Sequence, residues 1–334
     1  DMAPMVANAA VEEDGGASAG GGERGGDSAG EDFDPTLVPP ALLPIAREAV
    51  GLRSKDSRHI FLSTYAGNEK IMRNWGAALK RHGIEEMLVV AMNSLGYREL
   101  QQWGIPCIMF NGTGESEEAV KERFQRYDEG LKTQNPRRSY RHYMVRRKMF
   151  WHTRTMILNA VLQTGTTVTL ADIDAIAKGD PRQVFEPLLA EFDVIGSRVY
   201  WPFNTNTPMG ASICMGFVTI KSTDKMRRFM RERVMPLVDA EGDDQGGFNR
   251  ALDGDGILKE PKERSGTQER KPLVMRTAGL GLKIYIATQY TYVRSCTELD
   301  INETKAATVL HCPKHVRSSE ASAKLFEYWF LPDE

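Results

Sequence analysis

From His59 onward the apolar positions switch between two periods. "HIFLSTYAG" (59–67) is a near-continuous apolar run closing in a glycine loop, which predicts a buried strand. "NEKIMRNWGAALKRHG" (68–83) sets Ile71, Trp75, Ala78 and Leu79 at helical spacing and stops at Gly83. Strand "EEMLVVAMN", short helix "LGYRELQQWG" and strand "IPCIMF" follow. This alternation predicts an α/β fold of Rossmann-like type, with a mixed, mainly parallel sheet flanked by helices.

A long amphipathic helix is expected over 140–164, then a strand, "TTVTLAD", after Gly165. The segment "VTLADIDAIAKGDP" (168–181) therefore carries Asp172 and Asp174 at a strand's carboxyl end, where ligands gather in open α/β sheets. Two further strands, "DVIGSRVYW" and "ICMGFVTIK", flank an Asn/Thr-rich loop with Tyr200, Trp201 and Phe203 beside it. Those rings suit either ligand stacking or core packing. In "TDKMRRFMRERVMPLVDA" the stripe Met226, Phe229, Met230, Val234 and Leu237 reads as core. Residues 252–272 read as a long surface loop, either a lid over a ligand or plain disorder.

Charge changes the picture mainly at one end. The 334 residues carry a net charge of −2, yet residues 1–40 hold nine acids against Arg24 alone, −8, which leaves about +6 for the rest. That mild excess lacks the clustered basic character of a nucleic-acid binder and suits a pocket for an anionic small molecule such as a diphosphate. Rich in Gly, Ser, Ala and acid, residues 1–40 are expected to be a flexible tail or stem, with 41–334 a single catalytic domain. There is no apolar run of about 18 uncharged residues. A stem of this kind, with the sequons at Asn111 and Asn302, fits a Golgi-lumen domain of a type II membrane protein, with the cytoplasm as the alternative. Cys107, Cys214, Cys296 and Cys312 form no C-x-x-C pair, which argues against zinc; a Cys296–Cys312 disulfide or buried thiols both remain open.

Two carboxylates at i and i+2 on a strand end can ligate Mg²⁺ or Mn²⁺, which in turn bridges diphosphate oxygens; the same pair can also be a solvated turn. Two distant segments supply matching chemistry. "EGDDQGGFN" (241–249) holds Asp243, Asp244 and Gln245, and "VLHCPKH" (309–315) holds His311 and Lys314. Metal and cations together would stabilise a departing diphosphate.

In series, these segments resemble the nucleotide-diphospho-sugar transferases of glycosyltransferase family 77, which have the GT-A fold. "STYAGNEKIMRNWGAALKRHGIEEMLVVAMN", "LADIDAIAKGDP", "MGFVTIKST", "DDQGGFN" and, in part, "LHCPK" occur in the family's order over roughly 58–330. The resemblance implies that Asp172 and Asp174 are the D-x-D pair holding a divalent metal, with His311 as third ligand and Asp172 also near the ribose. It implies that Ser63, Thr64, Tyr65 and Ala66 hold the nucleobase, with Asn93 at the end of the next strand. Arg154, or Lys148 as its competitor, and Lys314 would face the diphosphate. Asp244 and Gln245 would lie at the anomeric carbon, and retention would follow either a front-face route or double displacement through Asp244 or Asp243. Four positions depart from the family pattern: Asn93, Cys214, Ala177 and Pro313.

The expected activity is thus metal-dependent, retaining transfer of a galactose-, arabinose- or xylose-class sugar from a UDP-sugar to a hydroxyl of a glycan or glycoprotein, with no nucleic-acid partner. A catalytically inactive GT-A domain that binds glycans or partners is the alternative. A nucleotidyltransferase or phosphohydrolase is a weaker one, since no G-x-x-x-x-G-K-[S/T] loop is present.

Overall fold

The apolar run at 59–65 becomes an inner strand buried at every position, because it has a neighbour on each side and helices on both faces. The computed structural model describes residues 33–56, 58–133, 137–199, 211–259, 272–287, 293–295, 307–311 and 330–331. Its strands are β1 (His59–Tyr65), β2 (Met87–Ala91), β3 (Cys107–Met109), β4 (Thr167–Ala171), β5 (Ala175–Ala177), β6 (Val194–Val199), β7 (Ser212–Ile220), β8 (Ile257–Lys259), β9 (Leu273–Thr277), β10 (Lys283–Ala287), β11 (Val293–Ser295) and β12 (Val309–His311). The α-helices are α1 (Leu43–Leu52), α2 (Glu69–Arg81), α3 (Ser94–Gln102), α4 (Glu117–Lys132), α5 (Arg138–Gln163), α6 (Arg182–Leu189), α7 (Asp224–Phe229), α8 (Met235–Glu241) and α9 (Asp244–Gly254).

Nine strands form one sheet in the order β3-β2-β1-β4-β7-β6-β10-β9-β8. Only β7 and β9 run against the others, so the sheet is mixed and mainly parallel in direction. A second sheet, β11-β12-β5, begins where the chain leaves β4 of the main one. Side chains of β1 alternate between two cores: Ile60 and Leu62 join Ile157, Leu158 and Val161 of α5, while Phe61 and Tyr65 join Trp75 and Leu79 of α2. Gly83 (φ 65°) and Gly165 (φ 77°) take the left-handed conformation that ends α2 and α5.

Three expectations are corrected. Residues 33–40 do not belong to a tail, since Val38 is buried and Phe33 packs on the main core; residues 1–32 lie outside the described ones. Residues 252–259 are not loop either, since α9 runs to Gly254 and β8 pairs with β9; residues 260–271 lie outside the described ones. In the helix after Thr223, a π-helical turn over Met230–Val234 shifts the phase of the stripe, so Val238 joins its fully buried members while Leu237, still packed against the core, is only partly buried.

Candidate active site

The parallel register of β1, β2 and β4 brings three strand ends to one edge, and with them Ala66, Asn93 and Asp172. After Ala171 the chain turns tightly, with the Ala175 N–H donating to the Asp172 carbonyl (2.9 Å), before β5 begins. Ile173 packs against the α2-side core, which leaves the carboxylates on either side of it facing a common space. β12 pairs antiparallel to β5 with His311 opposite Ala175. This short pairing carries the imidazole to the aspartates: His311 Nε2 lies 3.5 Å from Asp172 Oδ2 and 3.4 Å from Asp174 Oδ1. One ligand atom from each of the three residues falls within 4.8 Å of the others.

Arg154, buried on α5, ties this cluster to α9. Its guanidinium donates to Asp172 Oδ1 from one nitrogen and to Asp244 Oδ2 from the other two, Nε at 2.8 Å. Burial would push the Asp172 carboxyl up, but Arg154 and His311 outweigh it and hold it well below the usual carboxylate range. At Asp244 burial prevails, and with Asp243 and Asp172 nearby its carboxyl is raised despite the arginine. Burial likewise disfavours the His311 cation, yet Cys214, Asp172 and Asp174 overcome it and raise the imidazole above its ordinary value.

The donor set fits a divalent ion: two hard carboxylates, one imidazole and a left-open space. Gly216 on β7 supplies that space, because a Cβ there would stand 2.7 Å from His311 Nε2 and 2.8 Å from Asp172 Oδ2. Its carbonyl also accepts the Asp172 N–H (2.7 Å).

The other expected residues divide. Asp243 caps α9, its Oδ1 accepting from the Gly246 N–H (2.8 Å). Gln245 Oε1 accepts from the Met215 N–H (3.2 Å), and Asn249 exchanges hydrogen bonds with Ile213, so α9 is pinned along β7 beside the metal-type cluster. Asn93 is exposed and caps α3, accepting from the Gly96 N–H (2.7 Å). Tyr65, by contrast, cannot offer its ring to a nucleobase: it is 1 % exposed, packs edge-on to Trp103 and donates its hydroxyl to Glu99 (2.8 Å). Ser63 is equally spent, donating to the Ala171 carbonyl (2.8 Å), and Thr64 is buried; of that segment only Ala66 reaches partial exposure. Lys148, the competitor of Arg154, donates instead to the Glu241 carbonyl and lies over the Tyr127 ring. Lys314, Pro313, Tyr200, Trp201, Phe203, Cys296, Cys312 and Asn302 lie outside the described residues. Two contributors escaped the sequence reading: Gly216, whose only signal was its place in "MGF", and the contact of Cys214 Sγ with His311 Nδ1 at 3.6 Å.

The sequence model of the nucleotide-diphospho-sugar transferases matches residues 82–297, well over half of the chain. The chain belongs to the nucleotide-diphospho-sugar transferase family. Its mixed α/β sheet is the GT-A type of that family, and the activity of the class is sugar transfer. Among solved structures, this family member is similar to the galactosyltransferase LgtC in complex with donor and acceptor sugar analogs (11 % identity, 82 % of this chain and 97 % of that one, TM-score 0.41). It is also similar to the PaToxG glycosyltransferase (13 % identity, 66 % and 77 %, TM-score 0.33). A third likeness is to the bifunctional glycosyltransferase WbbM (10 % identity, 77 % and 46 %, TM-score 0.40), of which the chain spans under half. No curated protein matches the chain.

Proposed function

We propose that this transferase is metal-dependent and retaining, moving a galactose-, arabinose- or xylose-class sugar from a UDP-sugar to a hydroxyl of a glycan or glycoprotein. The observation that carries the reading is the convergence of Asp172, Asp174 and His311 on one space, with Arg154 locking Asp172 to Asp244. Asp172, Asp174 and His311 would hold the ion, Mn²⁺ or Mg²⁺. When bound, the ion neutralises charge on the diphosphate.

The chain's own residues do the rest by orientation. Arg154 fixes the Asp172 carboxylate and contributes positive charge beside the diphosphate, and Asp244 keeps that guanidinium from swinging away. Gln245, Asp243 and Asp244, held by Met215, the α9 amides and Arg154, gather amide and carboxylate oxygens at the start of α9, whose negative potential would suit the positive charge that develops at the anomeric carbon. Asp244 is engaged by Arg154 and Asp243 by the α9 amides, which favours the front-face route over a covalent sugar–enzyme intermediate. In that route the acceptor oxygen bonds to the anomeric carbon as the bond to UDP breaks on the same face, and the hydroxyl proton passes to the leaving phosphate oxygen. We extend the proposal to a Golgi-lumen domain of a type II membrane protein, which the acidic glycine-rich segment and the Asn111 sequon favour.

A panel of UDP-sugars with Mn²⁺ tests the proposal through UDP release. One sugar should be hydrolysed slowly without acceptor, and Asp174→Ala should abolish that hydrolysis. No UDP release from any of them, together with no calorimetric binding of UDP, would overturn it in favour of a glycan-binding module.

A further inference from the structure

The 26-residue helix α5 is far longer than the strand it feeds. At 1.5 Å per residue it spans about 39 Å, against roughly 17 Å for the five residues of β4. Because Thr164–Thr166 return the chain directly into β4, and Arg154 is already level with Asp172, residues 138–153 rise about 24 Å beyond the sheet's carboxyl edge. This overhang stands beside the proposed transfer site. α4 supports one of its faces: Val145 packs with Tyr127 and Leu131, and Arg141 pairs with Asp128 (3.2 Å).

A different face carries Tyr140, Tyr143, Arg147 and Trp151, which continue the line of Arg154 at intervals of three and four residues. Tyr140 and Tyr143 are 45 % and 44 % exposed, unusual for rings on a helix that could have buried them. The Arg147 guanidinium lies 4.4 Å from the centre of the Trp151 ring and 5.6 Å from that of Tyr143, so the stripe is held as a ladder of flat faces. Arg138, Arg141, Arg146, Arg147 and Lys148 lie in this stretch, and residues 138–153 contain no acid.

We infer that the outer half of α5 is an acceptor track, on which an oligosaccharide bearing carboxylate or similar anionic substituents lies along Tyr140, Tyr143, Arg147 and Trp151. The inference rests on the transferase reading. Flat aromatic faces match the C–H faces of pyranose rings, the interleaved arginine matches a charged substituent, and the line ends at the residue that holds Asp172. A long nucleic acid fits less well, since two of the five cations in this stretch are already engaged within the protein, Arg141 with Asp128 and Lys148 with the Glu241 carbonyl.

The test uses the full chain, with oligogalacturonate as the acidic probe, a neutral cello-oligosaccharide of equal length, poly(U), and phosphatidylserine vesicles, read by calorimetry and tryptophan fluorescence. Oligogalacturonate should bind at least about tenfold tighter than the neutral probe, and Tyr143→Ala and Arg147→Gln should each weaken it by about tenfold. Arg228→Ala, which removes an exposed arginine on α7, should leave that affinity unaltered. Equal binding by all variants, no binding of oligogalacturonate, or a preference for poly(U) or vesicles would overturn the inference. Titration of UDP with Mn²⁺ on the same samples decides the transferase reading separately.

Discussion

Two buried networks in this molecule are built from the same parts. In one, Arg154 joins Asp172 to Asp244 beside His311; in the other, Arg123 joins Glu115 to Asp239 beside His152. Only the first has the makings of a metal centre. There the histidine faces two carboxylates, Asp174 supplies a further ligand, and Gly216 keeps side-chain atoms out of the space between. In the second, Arg123 fills the centre, His152 Nδ1 is buried without a hydrogen-bond partner, and the acids reach water, Asp239 being 43 % exposed. An arginine with two acids is therefore a clamp, which becomes a site when a third acid and an open volume converge on it.

The arginines themselves give the widest separation. Arg154→Ala strands Asp244, which is almost wholly buried, and should cost about 3–5 kcal/mol. Arg123→Ala releases acids that water can solvate and should cost roughly 1–3 kcal/mol. Urea unfolding of both variants checks the ordering; equal losses would erase the distinction between the networks.

Ligand removal follows. Asp174→Asn should lower sugar transfer by about 10²–10³-fold, while Asp239→Asn should change it little; steady-state rates with saturating Mn²⁺ decide between them. A third contrast is pH. Burial holds His152 near 4, whereas the unfolded chain takes up the proton near 6.5. A group depressed in this way costs stability as pH falls, so between 6.5 and 4 the protein should lose roughly 3 kcal/mol through His152. His59, which burial also depresses, to about 3, adds its own share. His152→Gln should flatten the first share and leave the second, as thermal melts from pH 7 to 4 can show. The smallest effect is expected from Gly216→Ala, whose Cβ would crowd His311 and Asp172 and weaken Mn²⁺ binding by about tenfold without unfolding the chain.

Much of this was legible in the residues. Apolar spacing locates β1, α2, β2, α3, β3, α5 and β4, and it places Asp172 and Asp174 at a strand end. The joining of these aspartates to His311 was not legible from periodicity, since it depends on pairing between two three-residue strands, β5 and β12, far apart in the chain. Order of motifs alone suggested it. Tyr65 misled for a related reason: the segment Ser63–Ala66, expected to leave the sheet and hold the nucleobase, stays in β1 as far as Tyr65, so the ring falls inside the core and not at its edge. Arg123 and His152 gave no signal, because their partners come from a turn, α4, α5 and α8, elements that share no motif.

The central claim is that Asp172, Asp174 and His311 hold a divalent ion together with a nucleoside diphosphate. Mn²⁺ binding followed by electron paramagnetic resonance, with and without UDP, tests it most directly. One ion should bind per chain, more tightly with UDP present, and His311→Ala and Asp174→Asn should each abolish the gain while Asp239→Asn keeps it. Undiminished Mn²⁺ binding in both site variants would contradict the account.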